Sequence, residues 1–304
     1  MEKTPLVFVI VLNWNRCADT LDCLESITQQ DYPNFQVVVV DNGSQDDSIV
    51  SIRKHYPQVS IIANRGNLGY TTGNCQGIKQ GLEAGADYYL LLNNDTVSDR
   101  GLLGELVRAS QSDERVGIAG PKILYYDDPN RLWSAGCKID YTETISQHRG
   151  YRKLDCGDYN LVEEVDAVSG CAMLLKRAVI EQVGSLDEAF SPIYYEDLDM
   201  CVRVRNHGFK VVFVPSARIW HKVSLSSGGE YNPVARYYLG YNSVVFIKRY
   251  ANLLEKAKYM VYALGSMPFV FFIRAFQGKS RGALYKALGI MDGFIGIKRN
   301  ILNG

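Results

Sequence analysis

Residues 88–95 read Tyr-Tyr-Leu-Leu-Leu-Asn-Asn-Asp: an oily run that stops abruptly at three polar residues. An unbroken apolar run of this length suits a strand covered on both faces, as in a parallel sheet. The same pattern recurs upstream. Residues 6–12 (LVFVIVL) end at Asn13, and residues 36–40 (QVVVV) end at Asp41. Shorter β-rich runs lie at 59–62 and 211–214. Between the runs the spacing becomes helical. Leu21, Leu24 and Ile27 mark a helix over 17–29, and Ser44 is an N-cap candidate for a helix over 44–54, with Asp47 in its first turn. Ser98 is the corresponding candidate for a helix over 98–109, whose apolar side is Leu102, Leu103, Leu106 and Val107. Strand alternating with helix predicts a doubly wound α/β sheet. Such sheets bind ligands beyond the carboxyl ends of their strands, where the strand order reverses. Asn13, Asp41 and Asn93-Asn94-Asp95 stand at those ends, although Asn and Asp also begin turns for reasons of their own.

Bulk composition narrows the partners. The 304 residues carry 33 basic and 33 acidic side chains, a balance that argues against nucleic acid. The balance hides an asymmetry. Residues 226–304 hold eleven Lys and Arg against three Asp and Glu, a net of +8, which leaves −8 on residues 1–225. The seven cysteines, Cys17, Cys23, Cys75, Cys137, Cys156, Cys171 and Cys201, are odd in number, irregularly spaced and without a CxxC pair. That is neither a disulfide framework nor a zinc site, and a reducing, cytoplasmic setting is the expectation. The N-terminal segment lacks the basic region and cleavage site of a signal peptide.

Four constellations carry candidate chemistry. Asn94-Asp95 places a carboxylate at a strand end, where Mg²⁺ or Mn²⁺ would find an oxygen ligand to share with substrate phosphates. Glu196-Asp197-x-Asp199 opens a helix that Gly208 would end. Acidic residues in a first helical turn are stabilising in themselves, and aromatic neighbours such as Tyr194 and Tyr195 would raise a carboxylate's proton affinity, as a general base requires. Trp220-His221 follows the run at 211–214 and Pro215, and a neutral His is a competent metal ligand. The Gly-rich stretch from Asn64 to Asn74 fits neither GxGxxG nor GxxxxGK[ST], so dinucleotide binding and P-loop chemistry lose support.

Taken in order, these segments resemble family 2 glycosyltransferases, in particular a bacterial rhamnosyltransferase-like branch. The residues that carry the resemblance are Val11-Leu12-Asn13-Trp14-Asn15, Asp41-Asn42-Gly43-Ser44-x-Asp46, Asn67-Leu68-Gly69-Tyr70 with Asn74, and Leu92-Asn93-Asn94-Asp95. Gly170-Cys171-Ala172-Met173-Leu174, Gly184-x-Leu186-Asp187-Glu188-x-Phe190, Tyr195-Glu196-Asp197-x-Asp199 and Trp220-His221 complete the set. The resemblance implies a GT-A fold, a Rossmann-like mixed sheet flanked by helices with a C-terminal helical extension. It implies that Asp41 bonds the nucleobase, that Asn13, Asn67 and Asn94 line the nucleotide pocket, and that Asp95 and His221 hold a divalent metal (Mg²⁺ or Mn²⁺). It further implies Asp197 as catalytic base, Glu196 and Trp220 on the acceptor side, a nucleotide-sugar donor and a glycan or lipid-linked acceptor. Asn93 departs from the family's DxD motif, in which the first carboxylate would stand there. Domain expectations follow. Residues 1–225 form the catalytic unit, about 1–120 on the nucleotide side and about 121–225 on the acceptor side; the polar stretch 121–165 is a long excursion without an assignable fold. Residues 226–304 form a basic, amphipathic helical region.

Within that region, residues 259–273 (YMVYALGSMPFVFFI) carry no charge and lie between Lys258 and Arg274. The run is shorter than the roughly 20 residues that span a bilayer. Apolar residues flanked by basic ones suit a helix lying in the headgroup region of the inner membrane face. A dimerisation surface, giving a homo-oligomer, or a cap on the catalytic unit are the alternatives. A non-catalytic nucleotide-sugar-binding scaffold and a nucleotidyltransferase are the competing functions, the latter short of a basic phosphate loop.

Overall fold

The computed structural model describes residues 4–143, 145–223, 232–276 and 280–301. The boundary expected at 225–226 lies outside the described residues. The chain opens with β1 (Val7–Asn13), α1 (Cys17–Thr28), β2 (Phe35–Asp41), α2 (Ser48–His55), β3 (Ser60–Ala63), α3 (Gly69–Glu83) and β4 (Tyr88–Asn93). These four strands run parallel in the order β3-β2-β1-β4, so the strand order reverses between β1 and its two neighbours. Alternate residues of β1 explain the unbroken apolar run. Val7, Val9 and Val11 pack with Leu24 and Leu103 on one face, while Phe8 and Ile10 pack with Ile78 on the other. Helix α3 approaches this sheet through a glycine stripe. A Cβ on Gly73, Gly77 or Gly81 would come within 2.4–2.8 Å of Leu12, Ile10 or Phe8, so only glycine lets the helix lie this near.

The second half adds β5 (Thr96–Ser98), α4 (Leu102–Gln111), β6 (Val116–Tyr125), β7 (Leu132–Ser134), β8 (Cys137–Ile139), β9 (Ser146–His148), β10 (Glu163–Glu164), β11 (Ala172–Lys176), α5 (Arg177–Val183), a 3₁₀ turn (Glu188–Phe190), α6 (Glu196–Asn206) and β12 (Lys210–His221). Strand β11 runs antiparallel between β4 and β6, which makes the sheet mixed. Three helices follow: α7 (Pro233–Tyr250), α8 (Leu253–Phe276) and α9 (Ser280–Ile295). Among the described residues no helix is long and apolar enough to cross a membrane. All seven cysteines are free.

Two capping expectations fail. Helix α2 starts at Ser48 behind Asp47, because the Ser44 hydroxyl donates to Asp41 instead (2.6 Å). Ser98 ends β5, and α4 begins three residues beyond Asp99 at Leu102, behind Gly101. Trp220 and His221 do not lie past the strand but within it: β12 bulges between Val214 and Arg218 and then resumes pairing with β6 and β5. Gly208, at φ 84°, does end α6 as read from the sequence.

Candidate active site

The ends of β1 and β2 face each other in register, Asn13 opposite Asp41. That pairing makes a buried network. Asn13 Nδ2 donates to Asp41 Oδ2 (2.6 Å) and to Ser44 Oγ (3.1 Å), while Asn13 Oδ1 accepts from Thr20 Oγ1 (2.6 Å) and Asn94 Nδ2 (3.1 Å). Asp41 also accepts from the Ser44 backbone N–H (2.9 Å). Three of the residues singled out from the sequence, Asn13, Asp41 and Asn94, thus meet in one cluster. Asn67 stands outside it: its side-chain oxygen accepts from the Gly69 N–H (2.8 Å) and shapes the entry to α3.

Asp95 and His221, 126 positions apart, meet because β12 pairs with β5 and sets His221 opposite Thr96. His221 Nε2 lies 3.1 Å from Asp95 Oδ1, and both side chains are buried. Burial works against a charged imidazole, but Cys171 and Asp95 beside it prevail and hold His221 above its ordinary range. Cys171 is itself kept a neutral thiol by burial, so the charge behind this effect is that of Asp95. Trp133 meets the His221 ring edge-on at 5.0 Å, and His221 Nδ1 is buried without a hydrogen-bonding N or O partner among the described residues. Once its extra proton is displaced, the His221 imidazole beside the Asp95 carboxylate fits a divalent cation of the Mg²⁺ or Mn²⁺ class. No cluster of three or more His, Cys, Asp or Glu side chains offers a metal site among the described residues. The pair would therefore rely on substrate phosphates for further ligands. Asn93 lines the adjoining cavity but lacks the charge to replace a carboxylate.

Asp197 sits at the start of α6, reached through Tyr194 and Tyr195, both left-handed at φ 76° and 74°. Such values are strained for aromatic residues. Asn242 of α7 holds the segment: its Nδ2 donates to the carbonyls of Phe190 (2.7 Å), Ile193 (2.8 Å) and Tyr194 (3.1 Å). Asp197 Oδ2 accepts from the Gly170 N–H (2.9 Å) and Oδ1 from the Leu198 N–H (2.8 Å). Burial nevertheless raises its pKa above the usual aspartate range, the two N–H bonds opposing only in part. Glu196 is pushed much further, first by burial and then by the Asp197 charge, and its Oε2 has no partner among the described residues. Asp199 is structural: it pairs with Arg203 (2.7 Å) and Arg249 (2.8 Å).

Asn93, Glu196, Asp197 and His221 all line one cavity of about 560 Å³ between the sheet edge and helices α7–α9. Trp220, adjacent to His221 on a strand, is not among its lining residues, since neighbouring strand residues point to opposite faces. Residues that the sequence reading passed over also line it. Tyr70, whose Oη donates to the Gly170 carbonyl (2.5 Å), lay inside a quoted motif without a role. Trp133 and His148, whose rings meet at a tilt with centroids 4.4 Å apart, come from the stretch whose fold was not assignable. Burial, with His221 nearby, lowers the His148 pKa to about 4, so this ring is neutral.

Known proteins resemble this chain in fold, in sequence and in family. A mannosyltransferase from Pyrobaculum calidifontis, solved with GDP-Man and Mn²⁺, superposes with a TM-score of 0.58 at 14% identity, covering 98% of this chain and 89% of that one. The shared architecture is the GT-A fold. The dTDP-rhamnosyl transferase RfbF of Shigella flexneri is 26% identical over 272 residues, 85% of this chain and 86% of its own length. The uncharacterized protein y4gI of Sinorhizobium fredii is 29% identical over 246 residues, 78% of this chain. The chain spans only 26% of the length of y4gI, so it corresponds to one part of that longer relative. The family model described as glycosyltransferase like family 2 matches residues 5–235, from before β1 into α7, and the chain belongs to that family.

Proposed function

We propose that this chain is an inverting glycosyltransferase that moves a sugar from a UDP- or dTDP-sugar to a hydroxyl of a glycan or lipid-linked acceptor in cell-surface polysaccharide synthesis. The observation that carries the reading is Asp197: a carboxylate fixed by two backbone N–H bonds, raised in proton affinity, and facing the cavity that His221 also lines. In this reading Asp197 takes the proton of the acceptor hydroxyl as that oxygen attacks the anomeric carbon and the nucleoside diphosphate departs on the opposite side. Asp95 and His221 would hold Mg²⁺ or Mn²⁺, which when bound offsets the charge growing on the leaving diphosphate. Asn13, Asp41, Asn67 and Asn94 would shape the nucleotide pocket, with Asp41 recognising the base. Glu196, held neutral by burial, would donate a hydrogen bond toward the acceptor.

The division into a catalytic unit, 1–225, and a helical region, 226–304, belongs to the same proposal, as does a cytoplasmic site of action. Helix α8 exposes Leu253, Leu254, Val261, Leu264, Phe269 and Phe272, a surface suited to the inner membrane face, with Lys256 and Lys258 near the headgroups. Flotation of the full chain with anionic vesicles checks that contact, and a chain that stays at the bottom of the gradient removes it. The test of function is release of nucleoside diphosphate from a panel of UDP- and dTDP-sugars, with Mn²⁺ or with chelator. Metal-dependent release that rises on adding acceptor is expected. Tight donor binding with no release from any sugar would favour the alternative, a non-catalytic nucleotide-sugar-binding scaffold.

A further inference from the structure

Tyr70 lines the cavity with a hydroxyl that the transfer step does not use. It is the second residue of α3, and the start of that helix is pinned from two directions. Asn42, next to Asp41, donates from Nδ2 to the Gly69 carbonyl (2.9 Å), and the Tyr70 N–H donates to the Pro192 carbonyl (2.6 Å). A Cβ on Gly69 would stand 2.4 Å from the Pro192 side chain, so the helix start lies directly against Pro192. The Tyr70 side chain therefore leaves α3 from a fixed point.

Its far end meets Gly170. Tyr70 Oη donates to the Gly170 carbonyl (2.5 Å), and on the other side of the same residue the Gly170 N–H donates to Asp197 Oδ2 (2.9 Å). A Cβ on Gly170 would come within 2.9 Å of Tyr70 Oη and 3.3 Å of Asp197 Cβ, so a glycine lets both side chains close on one residue. Burial above all holds the Tyr70 pKa well above the ordinary tyrosine range, and its hydroxyl stays a donor. Of the two N–H bonds to Asp197, that of Leu198 comes from its own helix; that of Gly170 ties the carboxylate to the segment entering β11.

Resting on the reading of Asp197 as base, we propose that Tyr70 is a positioning residue for transfer: through Gly170 it fixes the orientation of the Asp197 carboxylate. Without the hydroxyl, Gly170 is free to turn and its N–H bond to Asp197 weakens. That bond favours the carboxylate over the acid, so its weakening raises the proton affinity of Asp197. The titratable groups around Asp197 are Glu196 and Tyr195 on the same segment, Tyr70, Cys137 of β8, Cys171 and Cys201 of α6. Burial keeps these six protonated in the acid range. The charged groups elsewhere on the cavity wall, Glu143, His221, Arg236 and Lys286, are common to wild type and a Tyr70 variant.

Tyr70→Phe deletes one oxygen atom and tests this. Its kcat should fall about tenfold with donor KM unchanged. The acid limb of its kcat/KM profile should move to higher pH. Amide hydrogen exchange over residues 168–172 should quicken while that of β1 to β3 stays as in wild type, which also reports that the variant folds. Gly170→Ala, which crowds the same junction with Tyr70 intact, should give the same three changes. Wild-type kcat in Tyr70→Phe overturns the proposal, and so does a lower kcat with the acid limb and the exchange over 168–172 unmoved. Failure of the transferase reading has a different signature: no sugar donor yields nucleoside diphosphate with wild type, yet Tyr70→Phe still quickens exchange over 168–172.

Discussion

Around Asn13, both polar atoms of the side chain are bonded within the protein, to Asp41, Ser44, Thr20 and Asn94. Around Glu196 and His221, on the same edge of the sheet, Glu196 Oε2 and His221 Nδ1 are buried without a hydrogen-bonding N or O partner among the described residues. The backbone differs in the same sense. Asn13 is a regular strand residue, whereas Glu196 follows two left-handed tyrosines, each costing roughly 1–3 kcal/mol. The first region has its shape fixed by bonds within the chain. The second is held in an unfavourable state by its neighbours, chiefly Asn242, and its unpaired groups face a cavity. A satisfied network fixes shape; unsatisfied groups around a cavity await something that enters it.

The largest expected effect breaks the second region. Asp197→Asn keeps the side-chain shape but cannot accept a proton, so transfer should fall by about 10²–10⁴-fold with donor binding retained. Steady-state transfer alongside nucleotide calorimetry measures both, and full turnover would remove Asp197 as the base. Next comes the first region. Asn13→Ala leaves Asp41, Thr20 and Asn94 each short of a partner, and should lower stability by about 1–3 kcal/mol. Denaturant unfolding at neutral pH reads the change, and an unaltered midpoint would mean that the network does not support the fold. The smallest effect sharpens the contrast. Burial holds the Asp197 carboxyl above the ordinary aspartate range, and a base works only when deprotonated. Activity should therefore fall, as pH drops, at a higher pH than a solvent-exposed aspartate would give. An acid limb of the kcat/KM profile at or below the free-carboxylate range would contradict the burial argument.

The two regions also differ in how far the sequence disclosed them. Asn13, Asp41 and Asn94 each follow an apolar run, and parallel strands of similar length bring their ends to one edge. Asp197 carried a weaker signal, because acidic residues favour helix starts regardless of function. Asp199, two positions on, is a case of that: its carboxylate serves Arg203 and Arg249. Ser44 and Ser98 misled because a hydroxyl near a helix start is only a local cue: Ser44 is claimed by Asp41, three residues back, and Ser98 is held in β5.

The sequence by itself determined strands β1 to β4, the polar ends of β1, β2 and β4 and the membership in an ordered set of motifs, because strand burial on both faces writes itself as unbroken apolar runs. Only the tertiary structure decided that β5 and β12 set His221 against Asp95, that Trp133 packs edge-on against His221, and that α9 lines the cavity. Those contacts depend on a bulge in β12, on the pairing of β5 with β12, and on glycines that let α7 and α9 touch. Each is a property of two segments far apart in the chain, and neither segment carries the other's position in its own pattern.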